Sequence, residues 1–393
     1  MNFFNKLSVT ETHYSPFGSI DVNDVQVGIF HEKFHKNAPY PRFNKPCVMI
    51  YDQEPLREFA VNDLRIMNGV HRNVAYVSDT VKRLRIFGNS EKSALKDELC
   101  RYWLMEDWYY FFHGFAALDW YRDYQYYPNI ENQFSKVFIS LNRLCTQDRS
   151  YRLNLVSHYI ERGILDKGAV SLMLEDAGMG TWKDELIDPN TRLSYEAKQR
   201  IAGQLTKLPG SLVLDKFSPP GHSSADSGID NWRLQRSALW HVVAETVFYD
   251  EKLHLTEKIF KPISVRRPFI LVGGPGNLAY IKSYGFKTFD RWIDESYDNE
   301  SNPDRRMAMV VDELEKLCKL SDTELVQMHK EMEEVLDYNF EHFYGDFRKV
   351  IVDEMCNNLE RIFAVWNHQQ IDPDRKHDVS QIDFEDIKRR LSR

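Results

Sequence analysis

The sequence predicts an α/β protein with two Rossmann-like domains. Short runs of apolar and β-branched residues, typical of buried strands, alternate with segments in which apolar residues recur at helical spacing. The strand-like runs lie at 25–30, 47–51, 74–78, 136–141, 240–244 and 268–273. The chain of 393 residues is too long for one typical core and suits two domains of ordinary size. The domains that we predict span 1–130 and 131–345, followed by a helix and polar tail over 346–393.

Composition narrows the classes of function. The net charge of −8 gives no overall basic signature of a nucleic-acid-binding protein, although a local basic face stays open. No run approaches the roughly eighteen apolar residues that a membrane span needs, and the first residues lack the basic and apolar regions of a signal peptide. The five cysteines are scattered without a CxxC pair, which argues against a disulfide framework and a zinc site. We therefore expect a cytoplasmic protein with reduced thiols.

The most informative stretch begins with an apolar run that ends at Glu245. This pattern predicts a buried strand with a carboxylate at its carboxyl end. Thr256 then stands where a helix N-cap would stand, with Glu257 and Lys258 in the first turn. Pro262 lies inside the helical pattern, which predicts a short or distorted helix.

A glycine-rich turn follows the apolar run at 268–273 and contains Gly273, Gly274 and Gly276. A helical pattern comes next, so the backbone of the turn can approach a ligand closely at a helix N-terminus. The turn is neither a GxGxxG fingerprint nor a Walker A loop. It is a candidate cradle for a phosphate or a sugar, and the alternative is a purely structural turn.

Several of these residues together resemble a known motif. Glu245, the run LTEKIFKPI at 255–263, the pair Pro268-Phe269 and Gly273 are similar to the donor-binding motif of the fucosyltransferase-like family of glycosyltransferases. The resemblance is carried by the strand-end glutamate, the Thr-Glu-Lys helix start and the strand that follows.

Two later runs resemble the form of this motif that many phages and other viruses carry. They are GFKTF at 285–289 and DESYD at 294–298. The resemblance covers the last third of the core, and the chain departs from the family at 244–246, where Ala-Glu-Thr replaces Phe-Glu-Asn. The identity of the sugar and of the nucleotide base therefore stays open.

The resemblance implies a fold of the GT-B type, in which two Rossmann-like domains face a cleft. By analogy with that fold, the C-terminal helix is expected to cross back onto the first domain. The implied activity is transfer, with inversion, of a hexosyl, pentosyl or fucosyl group from a UDP- or GDP-linked donor to an acceptor hydroxyl. The only clear Asp-x-Asp pair, Asp372 and Asp374, lies in the polar tail, so we expect no metal and no cofactor.

The motif also implies roles for single residues on the donor side. Lys258 is assigned to the donor diphosphate and Glu257 to hydroxyl groups of the ribose or sugar. Glu245 is expected near the anomeric end of the sugar. Thr256 and the turn at Gly273 and Gly274 complete the expected donor-binding set, whose members are Glu245, Thr256, Glu257, Lys258, Gly273 and Gly274.

A second candidate cation comes from the loop after the strand-like run at 136–141. Arg143, Arg149 and Arg152 follow that run, and a helical pattern comes after them. The leaving nucleoside diphosphate develops negative charge, which a fixed guanidinium can bind with two hydrogen bonds. Spacing favours Arg143 or Arg149, and the alternative is ordinary solvated charge.

The general base on the acceptor side has three candidates. Asp52 and Glu54 follow the strand-like run at 47–51, although both also suit the acidic start of a helix. His113 follows an aromatic run at 108–112 that we interpret as a strand, and a histidine there can equally cap the strand end. Asp119, close after His113 in the sequence, is a weaker candidate for a ligand contact.

The acceptor is not defined by the sequence, and two classes stay open. One is a hydroxymethylated pyrimidine in phage DNA, which would place the protein in the host cytoplasm and would require a local basic face. The other is a glycan or lipid-linked saccharide. A rival hypothesis is a non-catalytic protein of the same fold that only binds a nucleotide sugar.

Overall fold

The computed structural model describes six strands before residue 108 and most of the chain from 111 to 354. The described ranges are 9–10, 19–22, 25–29, 47–51, 74–78, 105–107, 111–127, 134–176, 180–214, 232–249 and 253–354, together with residue 357. The chain divides into two compact units, one formed by 1–116 and 348–393 and the other by 117–347. Residues 117–130, which we assigned to the first domain, group with the second unit.

The first unit contains a six-stranded mixed sheet. The strands are β1 (Val9–Thr10), β2 (Ser19–Val22), β3 (Val25–Ile29), β4 (Cys47–Tyr51), β5 (Val74–Ser78) and β6 (Met105–Asp107), and they follow one another in that order across the sheet. The pairs β1–β2 and β2–β3 are antiparallel, whereas β3 to β6 run parallel. The predicted strands near 25–30, 47–51 and 74–78 are confirmed.

The second unit is organised around a four-stranded parallel sheet. Its strands are β7 (Lys136–Asn142), β8 (Gly168–Leu172), β11 (Ala238–Ala244) and β12 (Phe269–Val272), in the spatial order β12-β11-β7-β8. All residues of β11 and β12 are buried, as expected for strands covered on both faces, and this explains their uninterrupted apolar sequence. The predicted α/β fold class is confirmed, and the parallel sheet is that of a Rossmann-like fold. A short antiparallel pair, β9 (Glu175–Asp176) and β10 (Gly180–Thr181), lies outside this sheet.

Residues 347–354 are helical, and nine further α-helices are found in the described part of the chain. They are α1 (Phe111–Trp120), α2 (Tyr151–Glu161), α3 (Trp182–Ile187), α4 (Tyr195–Leu205), α5 (Trp232–Arg236), α6 (Phe260–Ser264), α7 (Asn277–Ser283), α8 (Pro303–Cys318) and α9 (Asp322–Tyr344). Helix α9 starts with a capping box between Ser321 and Glu324, and its Phe343 stacks on Phe260 of α6 with ring centroids 5.1 Å apart. No helix in these ranges is long and apolar enough to cross a membrane.

Two local predictions have different outcomes. The helix expected after Thr256 is short, as predicted from Pro262: a 3-10 turn at Glu257–Ile259 precedes the five-residue helix α6. The strand that we predicted at 108–112 is wrong, because α1 already begins at Phe111 and includes His113. Apolar side chains occupy so many positions of this segment that neither a helical nor a strand period stands out.

Candidate functional site at the carboxyl edge of the parallel sheet

The strand order of the second unit identifies where a ligand site is expected. The chain passes from β7 to β8 on one side and later to β11 on the other side, so the order reverses between β7 and β11. In open α/β sheets, ligands bind at the carboxyl ends of the strands beside such a reversal. Two segments meet there: the arginine loop, which we define as residues 143–150, and the segment that begins at Glu245. We call this region the carboxyl edge.

Glu245 follows directly after β11 and is completely buried. One carboxylate oxygen accepts a hydrogen bond from the backbone N–H of Thr256 at 3.2 Å, and the other accepts one from the Thr256 hydroxyl at 2.7 Å. The backbone carbonyl of Glu245 accepts a hydrogen bond from the hydroxyl of Tyr151 in α2. Glu245 thereby ties the end of β11 to the start of the Thr-Glu-Lys segment.

Lys258 joins this arrangement through the same threonine. Its Nζ donates to the Thr256 hydroxyl oxygen over 2.9 Å and lies 3.5 Å from Oε1 of Glu257. The Lys258 side chain is 31% exposed, so the ammonium group combines an internal partner with access to solvent. Glu245, Thr256, Glu257 and Lys258, which the motif brought together in sequence, are therefore brought together in space.

The charge balance at Glu245 is set by burial and by Lys258. Burial raises the pKa of the Glu245 carboxyl, whereas Lys258 and the hydrogen bonds from Thr256 lower it, and the net shift is upward. Burial and the nearby cation therefore act on the pKa of the Glu245 carboxyl in opposite directions.

The three arginines after β7 have separate positions. Arg152, in α2, is buried, and its guanidinium donates to the carbonyl groups of Leu144 at 2.9 Å and of Ala244 at 3.0 Å. It therefore clamps the arginine loop to the end of β11 and faces the interior. Arg143 is exposed and Arg149 is half-buried. Arg149 is also one of the charges that oppose the burial-driven rise in the pKa of Tyr151.

The glycine-rich turn is placed next to Glu245 but is engaged internally. Gly274 N–H donates to the carbonyl of Val247 at 3.0 Å, and Gly276 N–H donates to the carbonyl of Asp298 at 2.8 Å. The Asp298 carboxylate accepts from Leu278 N–H at 3.0 Å at the start of α7. The N-terminus of α7 thus already holds an anion supplied by the chain, which argues against a phosphate bound to these N–H groups.

The remaining candidates lie elsewhere or outside the described residues. Asp52 and Glu54 are outside the described residues, and so is the side chain of His113. Asp119 is exposed and pairs with Arg122 at 2.9 Å. Among the described side chains, no group of three or more His, Cys, Asp or Glu residues is arranged to hold a metal ion.

Sequence reasoning missed several residues that shape the carboxyl edge. Tyr151 stacks on Phe248, with ring centroids 4.5 Å apart, and binds the Glu245 carbonyl. Glu185, from α3, supplies a buried carboxylate to the backbone N–H of Gln147 in the arginine loop, and Asp298 supplies one to the start of α7. Tyr151 and Glu185 lie outside the motif, and Asp298 belongs to the run at 294–298, for which the sequence indicated no role.

Comparison with known proteins adds little to this site. No family model matches the chain, and no curated protein matches it significantly. A structural neighbour is the N-terminal domain of trehalose-6-phosphate phosphatase from Candida albicans, with a TM-score of 0.39 and 10% sequence identity over 79% of this chain and 71% of that chain. A similarity this weak carries no argument about function.

Proposed function

We propose that this chain is a glycosyltransferase that uses a nucleoside-diphosphate sugar as its donor. The observation that carries the proposal is the connected group of Glu245, Thr256 and Lys258 at the carboxyl edge, with 2.7 Å and 2.9 Å hydrogen bonds meeting at the Thr256 hydroxyl. The finer assignment, an inverting and metal-independent enzyme of the GT-B type, is part of the same proposal.

In this proposal, the cations of the carboxyl edge stabilise the leaving group. When the acceptor oxygen bonds to the anomeric carbon, the bond from that carbon to the diphosphate oxygen breaks, and negative charge develops on the diphosphate. Lys258 is held by Thr256 and is partly exposed, and Arg149 is half-buried in the arginine loop. Two cations from two segments suit a diphosphate better than either one alone, because they approach it from different sides.

The carboxylates have different tasks in this proposal. Glu257 lies next to Lys258 with a side chain that is 19% exposed, so it can accept hydrogen bonds from ribose or sugar hydroxyl groups. Glu245 is buried behind Thr256 and acts through the orientation and charge of Lys258, near the anomeric end of the sugar. Asp52, Glu54 and His113 stay the candidates for the base that takes the proton of the acceptor hydroxyl.

Donor binding is tested first by thermal unfolding with UDP, GDP, CDP and their common sugar conjugates. A ligand that binds only the folded state stabilises it by about 2.7 kcal/mol at a concentration of 100 times its Kd. We expect one nucleotide to raise Tm and Lys258→Ala to abolish this rise without lowering Tm in the absence of ligand. Lys282→Ala is the matched control, because Lys282 is a similarly exposed lysine that pairs with Asp290 and Glu295 instead. No rise with any nucleotide would contradict the proposal.

Turnover then separates an enzyme from a binding protein. Slow release of the free sugar from the stabilising donor, followed by faster turnover with an acceptor, supports transfer, whereas binding without any hydrolysis supports the non-catalytic alternative. Two classes of acceptor are tested: DNA that contains hydroxymethylated pyrimidines, and saccharides. The DNA is tested at two salt concentrations, because activity on DNA should fall steeply as the salt concentration rises. Full loss of activity in chelator, restored by a divalent ion alone, would contradict metal independence.

A further inference from the structure

We infer that Glu185 is a positioning residue that holds the arginine loop in the shape in which Arg149 meets the donor diphosphate. The inference rests on the proposed function and assigns a role to a buried acid outside the donor motif. Glu185 lies in α3, far in sequence from both the motif and the loop.

The first support is the contact between Glu185 and the middle of the loop. Glu185 is only 5% exposed, and its Oε1 accepts the backbone N–H of Gln147 at 2.6 Å. Its Oε2 accepts a hydrogen bond from the hydroxyl group of Thr191 at 3.1 Å, so both carboxylate oxygens have partners. A charge-assisted hydrogen bond of this length is among the stronger contacts that a loop backbone can make.

The second support is the backbone conformation at the point of contact. Gln147 has a φ of 56°, in the left-handed region that a non-glycine residue adopts only at a cost. The surrounding turn is closed by Arg149 N–H to Thr146 carbonyl at 3.1 Å and by Ser150 N–H to Gln147 carbonyl at 3.0 Å. The strained residue therefore determines where the backbone of Arg149 lies, and Glu185 holds that residue.

The third support is that the two ends of the loop are anchored by other residues. Arg152 binds the Leu144 carbonyl near the start, and the Ser150 hydroxyl lies 3.0 Å from the Tyr249 hydroxyl at the end. Glu185 supplies an anchor between them, beside Arg149. Removal of this anchor should loosen the middle of the loop while its ends stay in place. The predicted effect is a loss of preorganisation, which weakens binding without removing a ligand contact.

The test compares Glu185→Ala with Glu185→Gln by calorimetric titration with GDP and with UDP, well below Tm. Glutamine keeps an oxygen for Gln147 N–H and an amide group for Thr191, whereas alanine removes both contacts. We expect about tenfold weaker affinity in Glu185→Ala for the nucleotide that binds the unsubstituted protein. Affinity within about twofold of the original is expected in Glu185→Gln.

Glu313→Ala is the matched control. Glu313 is also a buried carboxylate that accepts a loop N–H, that of Asp294 at 3.1 Å, but this loop carries no donor-site residue. We expect Glu313→Ala to lower Tm and to leave nucleotide affinity unchanged. Equal affinity in Glu185→Ala and the unsubstituted protein would overturn the inference, and so would an equal loss in Glu313→Ala. Absence of GDP and UDP binding in the unsubstituted protein would instead contradict the proposed function.

Discussion

The two edges of the parallel sheet in the second unit both contain a buried arginine, but the surroundings of these arginines differ. At the carboxyl edge, burial lowers the pKa of Arg152, yet Tyr151, Cys145 and Glu245 offset this effect and raise the pKa overall. At the amino edge, where β11 and β12 begin, burial and the neighbouring Arg236 lower the pKa of Arg267 to about 10. Arg267 donates there to Nε2 of His329 at 2.9 Å and to the carbonyl of Arg236 at 3.2 Å.

This difference distinguishes the edge at which we propose a ligand site from the opposite edge. The carboxyl edge combines a buried acid, Glu245, with the partly exposed cations Lys258 and Arg149. At the amino edge, Arg267 and His329 are both buried, and among the described residues no carboxylate lies within ion-pair distance of Arg267. The charge of a buried arginine is thus compensated at the carboxyl edge, where we expect function, and lacks such compensation at the amino edge.

The largest expected effect concerns the two buried arginines themselves. Arg152→Met leaves the carbonyl groups of Leu144 and Ala244 without their donor, and we expect a loss of about 3 kcal/mol or more in the free energy of unfolding. Arg267→Met also removes two hydrogen bonds, but it removes an uncompensated buried charge at the same time, so we expect a loss of about 1 kcal/mol. Urea unfolding with a common m-value measures both.

Arg143→Ala controls for the loss of a positive charge in the same loop. Arg143 is exposed, so its replacement should change the free energy of unfolding by no more than about 0.5 kcal/mol. Equal losses of unfolding free energy for Arg152→Met and Arg267→Met would show that the charges of the two buried arginines are equally compensated. The proposed difference between the two edges would then be wrong.

The second prediction uses pH, because the edges carry titrating groups with opposite shifts. Burial and Arg267 lower the pKa of His329 to about 4, so the unfolded chain binds a proton below pH 6.5 that the native protein rejects until about pH 4. The contribution of His329 to the free energy of unfolding is therefore lost as the pH falls from 6.5 to about 4. Burial raises the pKa of Glu245 above 4.5, so the native protein keeps a proton that the unfolded chain releases. The contribution of Glu245 to the free energy of unfolding is therefore lost as the pH rises from 4.5 through the raised pKa of this group.

Two neutral substitutions separate these contributions. In His329→Gln, an amide oxygen still accepts from Arg267, and we expect the slope of unfolding free energy against pH between 4 and 6.5 to fall by about 1.4 kcal/mol per pH unit. In Glu245→Gln, we expect a change of the opposite sign above pH 4.5. His158 and His241, whose pKa values burial lowers to about 3, contribute equally to all three proteins and cancel. Slope changes of the same sign in the two variants would contradict the opposite pKa shifts of His329 and Glu245.

The sequence was sufficient for the parts of the structure that depend on local patterns. Apolar runs located β3, β4 and β5 of the first sheet and β7, β11 and β12 of the second, and Pro262 predicted the short helix after Thr256, because each signal acts through its own backbone. Helix α1 was missed, since a segment that is apolar on all sides shows no period. The grouping of Glu245 with Lys258 was predicted because a single short segment brings them together.

The parts that could not be predicted depend on partners far along the chain. The glycine-rich turn correctly indicated a tight turn before a helix, but spacing does not show that Asp298 supplies the anion at that helix start. The role of Arg152 as a clamp depends on the carbonyl of Ala244, which is 92 residues away in sequence. Glu185 is likewise 38 residues from Gln147. Such contacts follow from the packed fold rather than from residue type or period.

The smallest expected effect concerns backbone strain, of which each edge has one example. Gln147 at the carboxyl edge and Arg266 at the amino edge have φ values of 56° and 53°. Arg266 is held by a hydrogen bond to Asp337 at 2.8 Å and lies 3.4 Å over the ring of Phe340, whereas the side chain of Gln147 is exposed. We expect Gln147→Gly to raise the free energy of unfolding by about 0.5 kcal/mol, because relief of strain exceeds the added freedom of the unfolded chain.

Arg266→Gly should instead lower the free energy of unfolding by about 0.5 to 1 kcal/mol, because the lost contacts with Asp337 and Phe340 outweigh the same relief of strain. Gln147→Asn is the control, since asparagine tolerates the left-handed region while keeping a side chain and should be close to neutral. Thermal and urea unfolding of the three variants measure the differences. A loss for Gln147→Gly would mean that the Gln147 conformation is stabilised by its side chain and that Glu185 alone does not hold it. A gain in stability for Arg266→Gly would mean that relief of strain there outweighs the contacts with Asp337 and Phe340.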